Sequence, residues 1–156
     1  MMLVRTDSDN ADFRQLVKEL DEFLAEVDGD EHAYYAQFNR LDNIQNVVIV
    51  YEDSEPIGCG AFKSYAETVA EVKRMFVRLE HRGKGAGAAL LVELEAWAVG
   101  IGYSECILET GHRQTAAVRL YQAAGYKVIP NYGQYAGVDS SVCMTKKLTV
   151  DNRAGV

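Results

Sequence analysis

Seven residues, numbered 82–88 and reading RGKGAGA, constrain the fold of this chain more than any other segment. They lie between a strand-like run at residues 71–77 and a run with helical spacing at residues 86–101. Glycine lacks a Cβ atom, so alternate glycines let the backbone bend sharply and approach a ligand closely. The first N–H groups of a helix have no partner within it and lie at its positive end, where anions bind. Strand, glycine loop and helix therefore predict a phosphate site, at which Arg82 and Lys84 would donate hydrogen bonds.

The loop differs from two well-known phosphate-binding patterns. The chain contains no G-x-x-x-x-G-K-[S/T] segment, which excludes the loop of nucleotide triphosphatases. The Rossmann pattern fails because its last glycine falls on Ala88, and no acidic ribose partner is evident at the expected distance. The pattern that fits is R-x-x-G-x-G, with Arg82, Gly85 and Gly87. A tight turn that binds nothing would fit as well, so the loop alone leaves ligand binding open.

Length and charge limit the classes of function. A chain of 156 residues predicts one domain with a real core. Its formal net charge of −7 argues against nucleic acid as the main partner and mildly favours a cationic substrate, although such a charge also serves solubility. The sequence shows neither a signal peptide nor a membrane span, so we expect a cytoplasmic protein without a membrane partner.

The cysteines and histidines predict neither disulfides nor a metal site. Cys59, Cys106 and Cys143 lie in apolar, strand-like surroundings, and their odd number without clustered spacing indicates reduced thiols in the core. The three histidines are scattered, and no Cys or His has the spacing of metal ligands. We therefore expect no bound metal.

The order of predicted elements indicates a mixed α/β fold. We expect a central sheet of about six to seven strands flanked by about four helices. The predicted strands are residues 2–5, 47–51, 57–64, 69–77, 106–108, 126–129 and 142–148. The predicted helices are an amphipathic one that starts after the N-cap candidates at 7–10 and ends at Gly29, a more polar one at 30–41, the one at 86–101 and one that ends at Gly125. The strands at 47–77 should be antiparallel, whereas the strand after the glycine loop should return parallel.

A second motif makes the chain resemble one family. Residues 114–126 read Q-x-x-A-V-x-L-Y-x-x-x-G-Y, and with the R-x-x-G-x-G loop before them they resemble the GNAT superfamily of N-acetyltransferases. The family commonly has Asn where this chain has Gln114. Residues 109–111, reading ETG, are similar to one bacterial subgroup. The resemblance implies a single acetyltransferase domain over residues 1–150, followed by a frayed tail at 151–156.

The resemblance also implies an acetyl-CoA-dependent enzyme that moves an acetyl group to a primary amine by direct transfer in a ternary complex. In such a protein the loop amides hold the diphosphate, and the preceding strand splays from its neighbour and exposes backbone groups to the pantetheine arm. The residues that the resemblance assigns to the cofactor are Met75, Phe76, Val77, Arg82, Gly83, Lys84, Gly85, Ala86, Gly87, Ala88, Gln114, Ala117 and Tyr121.

Three residues receive catalytic roles in this interpretation. The Met75 N–H would stabilise the oxyanion, and Tyr121 would return a proton to the departing thiolate. Glu71 lies where several family members have a glutamate base, with Glu109 and a bare water chain as competing bases. Strand alternation predicts that Glu71, Lys73, Met75 and Val77 share one face of the sheet, and that Val72, Arg74 and Phe76 share the other.

The sequence does not identify the acceptor amine, which could be a small molecule or a protein, and we expect a small-molecule amine. The segments expected to face it are residues 30–41 and 132–138, and the residues that we assign to substrate are Tyr35, Glu109 and Tyr132. A non-catalytic acyl-CoA sensor is the main alternative, and a nucleotide-binding module is a third interpretation. The oligomeric state also stays open, although the resemblance is compatible with a homodimer through the C-terminal strands.

Overall fold

A computed structural model describes residues 1–28 and 43–149 of the chain. The strands are β1 (Met2–Thr6), β2 (Asn46–Glu52), β3 (Glu55–Ala66), β4 (Val69–Val77), β5 (Glu105–Gly111), β6 (Lys127–Ile129) and β7 (Ser141–Lys147). The α-helices within the described ranges are α1 (Ala11–Asp28), α2 (Ala86–Gly100) and α3 (Thr115–Ala123). All seven strands form one mixed sheet in the order β1-β2-β3-β4-β5-β7-β6. The predicted helix at 30–41, with Tyr35, and the predicted tail at 151–156 lie outside the described residues.

The first helix begins where its sequence predicts. The Asn10 side-chain oxygen accepts hydrogen bonds from the backbone N–H groups of Asp12 and Phe13, at 2.8 and 3.1 Å. This side chain caps amides that have no partner within the helix. The apolar stripe of α1, from Phe13 to Leu24, is buried against one face of the sheet.

The strand directions agree with the prediction. Pairs β1–β2, β2–β3 and β3–β4 are antiparallel, and β5 returns parallel to β4 after α2. The hairpin between β2 and β3 turns through Asp53 and Ser54, whose φ angles are both positive, at 50° and 68°. Two left-handed residues match the right-handed twist of the flanking strands. The last strand of the chain, β7, lies between β5 and β6.

Two cores cover the two faces of the sheet. Along β2, Val47 and Ile49 pack in the cluster that contains the buried face of α1. Val48 and Val50 pack in a second cluster that contains Leu90 and its neighbours on α2, together with Tyr121 on α3. This alternation places α1 on one face, and α2 with α3 on the other.

A β-bulge in β4 overturns one expectation. Ala61 pairs with Lys73 and Cys59 with Phe76, so Arg74 and Met75 lie opposite the single residue Gly60. The extra residue breaks the strict alternation that the sequence predicts for residues 71–77. Val72 packs in the same cluster as Met75 and Val77, and Glu71, its neighbour along the strand, therefore lies on the opposite face from Met75.

Candidate active site

The parallel strands β4 and β5 separate beyond their first residues. Their pairing begins at Val69 with Glu105 and ends at Glu71 with Ile107, although both strands continue. The C-terminal ends of the two strands therefore form the sides of a cleft. Two cavities lie along it.

The larger cavity has a volume of about 420 Å³ and extends from the end of β4 to the glycine loop. Most of the residues that the sequence assigns to the cofactor line it, namely Met75, Phe76, Val77, Arg82, Gly83, Gly85, Ala86, Gly87, Ala88, Gln114, Ala117 and Tyr121. Lys84 belongs to the same loop but is not among the lining residues. The cavity is also lined by residues that the sequence does not assign to the cofactor. They include Leu20, Phe23 and Val27 of α1, and Arg113.

The glycines of the loop serve two different purposes. Gly83 and Gly85 have φ angles of +79° and +89°, which L residues with a side chain adopt only with strain. A Cβ added at either position would meet no atom within 4 Å, so both glycines border open space. A Cβ at Gly87 would lie 2.9 Å from Cδ2 of Leu120, because α2 and α3 approach closely there. Gly85 is also the N-cap of α2, whose first amides lack partners within the helix.

Arg82 connects the loop to the rest of the site. Its Nε donates a 2.8 Å hydrogen bond to the backbone oxygen of Val77. Its guanidinium carbon lies 4.8 Å from the ring centre of Phe23 on α1 and 5.8 Å from that of Phe76 on β4. Burial lowers the pKa of this guanidinium below its ordinary value. The geometry shows that Arg82 braces the loop against α1 and β4, in addition to lining the larger cavity.

The smaller cavity, of about 70 Å³, lies between the separated strands. Its polar lining includes Lys73, Glu109 and Thr110. Four residues line both cavities, and they are Leu20, Met75, Gln114 and Tyr121. The two cavities therefore meet at Met75 and Tyr121.

Tyr121 is buried at this junction, with 7% of its surface exposed. Burial raises the pKa of its hydroxyl above the ordinary value, and the negative charge of Glu109 adds to the effect. The phenol is therefore protonated throughout the neutral range. A buried, protonated hydroxyl beside both cavities is able to donate a hydrogen bond or a proton.

The two candidate bases differ in their surroundings. Glu109 lines the smaller cavity and accepts a 2.7 Å hydrogen bond from the Ser141 hydroxyl. Glu71 is 4% exposed, lines neither cavity and accepts a 2.7 Å hydrogen bond from the hydroxyl of Tyr132. Tyr132, which we assigned to substrate, also lines neither cavity. Burial and then the charge of Glu71 raise the pKa of Tyr132, so that hydroxyl stays a donor.

Lys73 extends into the smaller cavity from β4. Among the residues that the structure describes, no acceptor lies within hydrogen-bonding distance of its buried Nζ. Burial lowers the pKa of this ammonium group, and the negative charge of Glu71 opposes that shift. The sequence indicated no role for Lys73.

The strand order, the loop and the cleft agree with a comparison of the chain with known families. Residues 13–126 match the acetyltransferase (GNAT) family. The chain belongs to this family. The prediction of GNAT membership, which was based on two short motifs, is therefore confirmed by a match over most of the chain.

Known proteins are similar to this GNAT chain over nearly its whole length. An IAA acetyltransferase from Azospirillum brasilense is 32% identical over 142 residues, which are 86% of this chain and 89% of that protein. The structure of a candidate acyl-CoA N-acyltransferase from Klebsiella pneumoniae aligns with a TM-score of 0.79 at 28% identity, covering 95% of this chain and 97% of the other. A candidate acetyltransferase from Salmonella typhimurium, solved with its cofactor acetyl-CoA, has the same fold, with a TM-score of 0.68 at 19% identity over 96% and 95% of the two chains.

These findings confirm the predicted fold class and the predicted activity of a CoA-dependent N-acetyltransferase that acts on amines. The three α-helices described here agree with that fold class, as does the seven-stranded mixed sheet. None of the helices in residues 1–28 and 43–149 is long and apolar enough to cross a membrane. Within the same residues, no group of three His, Cys, Asp or Glu side chains is arranged to hold a metal ion.

Proposed function

We propose that this GNAT protein transfers the acetyl group of acetyl-CoA directly to a small primary amine, in one ternary complex and without a covalent enzyme intermediate. One observation carries this proposal, namely that the two cavities meet at Met75 and Tyr121. A thioester at the inner end of the larger cavity would meet an amine in the smaller one. Direct transfer is supported by the cysteines, because all three are buried and none lines either cavity.

The larger cavity suits coenzyme A, which supplies the acetyl group as an activated thioester. The first amides of α2 and the open, left-handed turns at Gly83 and Gly85 fit a diphosphate. Lys84 and Arg82 add positive charge beside them. The end of β4 on one side, and Gln114 with Ala117 on the other, would hold the pantetheine arm between the separated strands.

The bulge supports Met75 as the oxyanion donor. Arg74 and Met75 together oppose one residue of β3, and the pairing of β4 with β5 has already ended at Glu71. The Met75 amide is thus outside both regular ladders and beside both cavities. A fixed N–H at the place where negative charge develops typically contributes a hundredfold or more to the rate.

The position of Glu109 supports it as the group nearest to the amine. An amine with a pKa near 10 arrives mostly protonated at neutral pH and must lose a proton before it attacks. Glu109 borders the cavity in which the amine would lie, whereas Glu71 is 4% exposed and lines neither cavity. Glu71, the base expected from the sequence, could act only through Lys73 or water, and we therefore propose Glu109 as the first acceptor of the proton.

Tyr121 is the proposed general acid. Tyr121 lines both cavities and its hydroxyl is protonated in the neutral range, so it is able to give a proton to the departing thiolate. The acceptor that we propose is a small amine, because the smaller cavity has a volume of only about 70 Å³. Glu109 lines this cavity as a carboxylate, beside the basic residues Lys73 and Arg74.

A panel of amines tests this function. Each amine is mixed with acetyl-CoA and the protein, and thiol release is followed for the wild type, Tyr121→Phe and Tyr126→Phe. Tyr126 is a matched control, because it is also buried and its ring contacts that of Tyr121, but it lines neither cavity and its hydroxyl donates to Glu95 at 2.9 Å. We expect turnover with at least one small amine, a loss of roughly ten- to a thousandfold in Tyr121→Phe, and near-normal turnover in Tyr126→Phe. Tight binding of acetyl-CoA without thiol release would favour the non-catalytic sensor instead.

A further inference from the structure

The bulge in β4 holds one residue in a costly conformation. Arg74 has a φ angle of +61°, in the left-handed region that residues with a side chain rarely adopt. Such a residue persists only where its surroundings hold it. The proposed oxyanion donor is the N–H of the next residue, Met75, so whatever holds Arg74 also affects that donor.

Two contacts hold Arg74 from different sides. Its guanidinium Nη1 lies 3.1 Å from Oδ1 of Asp21 on α1, and its side chain is only 3% exposed. Its backbone oxygen accepts a hydrogen bond from Sγ of Cys59, at 3.3 Å. Cys59 lies on β3, pairs with Phe76 and is completely buried.

The thiol acts on the same rigid group that carries the oxyanion donor. The peptide bond between Arg74 and Met75 is planar and trans. The Arg74 oxygen and the Met75 N–H therefore lie in the same plane and point in opposite directions within it. A donor that fixes the direction of the oxygen therefore fixes the direction of the N–H. Hydrogen bonding to the oxygen also polarises the peptide and strengthens its N–H as a donor.

The thiol is able to donate at every pH at which such an enzyme works. Burial raises the pKa of Cys59 to about 12. A thiolate would have no hydrogen to give to the Arg74 oxygen. The thiol therefore keeps its hydrogen, and with it the ability to donate to the Arg74 oxygen, throughout the neutral range.

We propose that Cys59 is a positioning residue that aims the Met75 N–H at the acetyl group. This inference rests on the proposed function, because the N–H group that the thiol orients is the proposed oxyanion donor of that reaction. Cys59 itself touches neither cavity. Its thiol acts through the Arg74–Met75 peptide, whose oxygen it contacts.

Three variants test the role of the thiol. Cys59→Ala removes the donor, Cys59→Ser keeps a donor of nearly the same size, and Cys106→Ala removes another buried thiol that belongs to the core around α2. We expect kcat to fall about tenfold or more in Cys59→Ala, part of the loss typical of a removed oxyanion donor, with the Kd for CoA unchanged. Cys59→Ser should recover most of kcat, and Cys106→Ala should leave it near the wild-type value.

A spectroscopic measurement separates aiming from stability. The chain contains four methionines, so labelling with ¹⁵N-methionine gives few amide signals. In the wild type, the Met75 signal should differ between the CoA and the acetyl-CoA complexes, because only acetyl-CoA carries the thioester carbonyl oxygen that the oxyanion donor would meet. This difference should shrink in Cys59→Ala and return in Cys59→Ser.

The outcomes distinguish the inference from the function on which it rests. Normal kcat in Cys59→Ala, or equal losses in the alanine and serine variants, would overturn the role of Cys59 while leaving acetyl transfer intact. A Met75 signal that is the same in both complexes of the wild type would also overturn it. A wild type that acetylates no amine would overturn the proposed function and this inference together.

Discussion

At the scale of single residues, the position of two carboxylates decides how the amine loses its proton. Glu109 borders the smaller cavity, whereas Glu71 is enclosed and bound by the hydroxyl of Tyr132. Gln has almost the size of Glu but does not accept the proton. We expect Glu109→Gln to lower kcat roughly a hundredfold at neutral pH, and Glu71→Gln to lower it less.

The pH profile provides the control for this prediction. The loss in Glu109→Gln should shrink as the pH rises towards 10, because more of the amine then arrives already neutral. Binding of acetyl-CoA should stay normal in both variants, since neither carboxylate lines the larger cavity. If Glu71→Gln shows the larger loss, the base expected from the sequence is correct. If both variants have normal profiles, the enzyme selects neutral amine from solution.

At the scale of elements, the loop depends on backbone conformation more than on its charged side chains. Gly85 has a φ angle of +89° at the start of α2, with open space around it. Gly85→Ala therefore introduces strain without a clash, of about 1–2 kcal/mol. We expect the loop to relax away from this conformation and the Kd for acetyl-CoA, measured by calorimetry, to rise about tenfold.

Gly100 offers a matched control at the other end of the same helix. A Cβ there would also meet no atom within 4 Å, and Gly100 is not among the residues with positive φ. Gly100→Ala should leave the Kd unchanged and slightly stabilise the helix. Equal Kd values for the two variants would mean that the left-handed turn at Gly85 does not shape the cofactor site.

The elements themselves were largely predictable, because each has a local signal. The glycine loop, the stripe of α1 and the hairpin at Asp53 all depend on residues close in sequence. The bulge was only half predictable. A glycine inside a strand, such as Gly60, is typical of a bulge or of a close neighbour, but the extra residue of this bulge lies on β4, the strand that pairs with β3. Strand alternation alone therefore placed Glu71 on the wrong face relative to Met75.

The contribution of α1 to the site was missed for a different reason. Leu20 has the same spacing as the core residues around it, and Phe23 lies beside them on the helix. Helical periodicity shows that a residue faces inward but not whether it meets a side chain or an empty cavity. Both residues line the larger cavity, and the ring of Phe23 stacks against Arg82 of a loop that is distant in sequence. Only the assembled fold brings them together.

At the scale of the whole molecule, the larger cavity connects the elements of both cores. Its lining comes from α1 on one face of the sheet, from α2 and α3 on the other, and from β4 between them. A ligand held there is released when any of these elements unfolds, so it should stabilise the chain as a unit. At a hundred times its Kd, acetyl-CoA should add about 2.7 kcal/mol to the free energy of unfolding, which corresponds to a rise of roughly 5–10 °C in Tm.

ATP is the informative control, because it has phosphates but no pantetheine arm to fill the cleft between β4 and β5. Equal protection by ATP would indicate a nucleotide-binding module, whereas protection by CoA and acetyl-CoA alone is the result expected if the loop and the cleft bind one ligand.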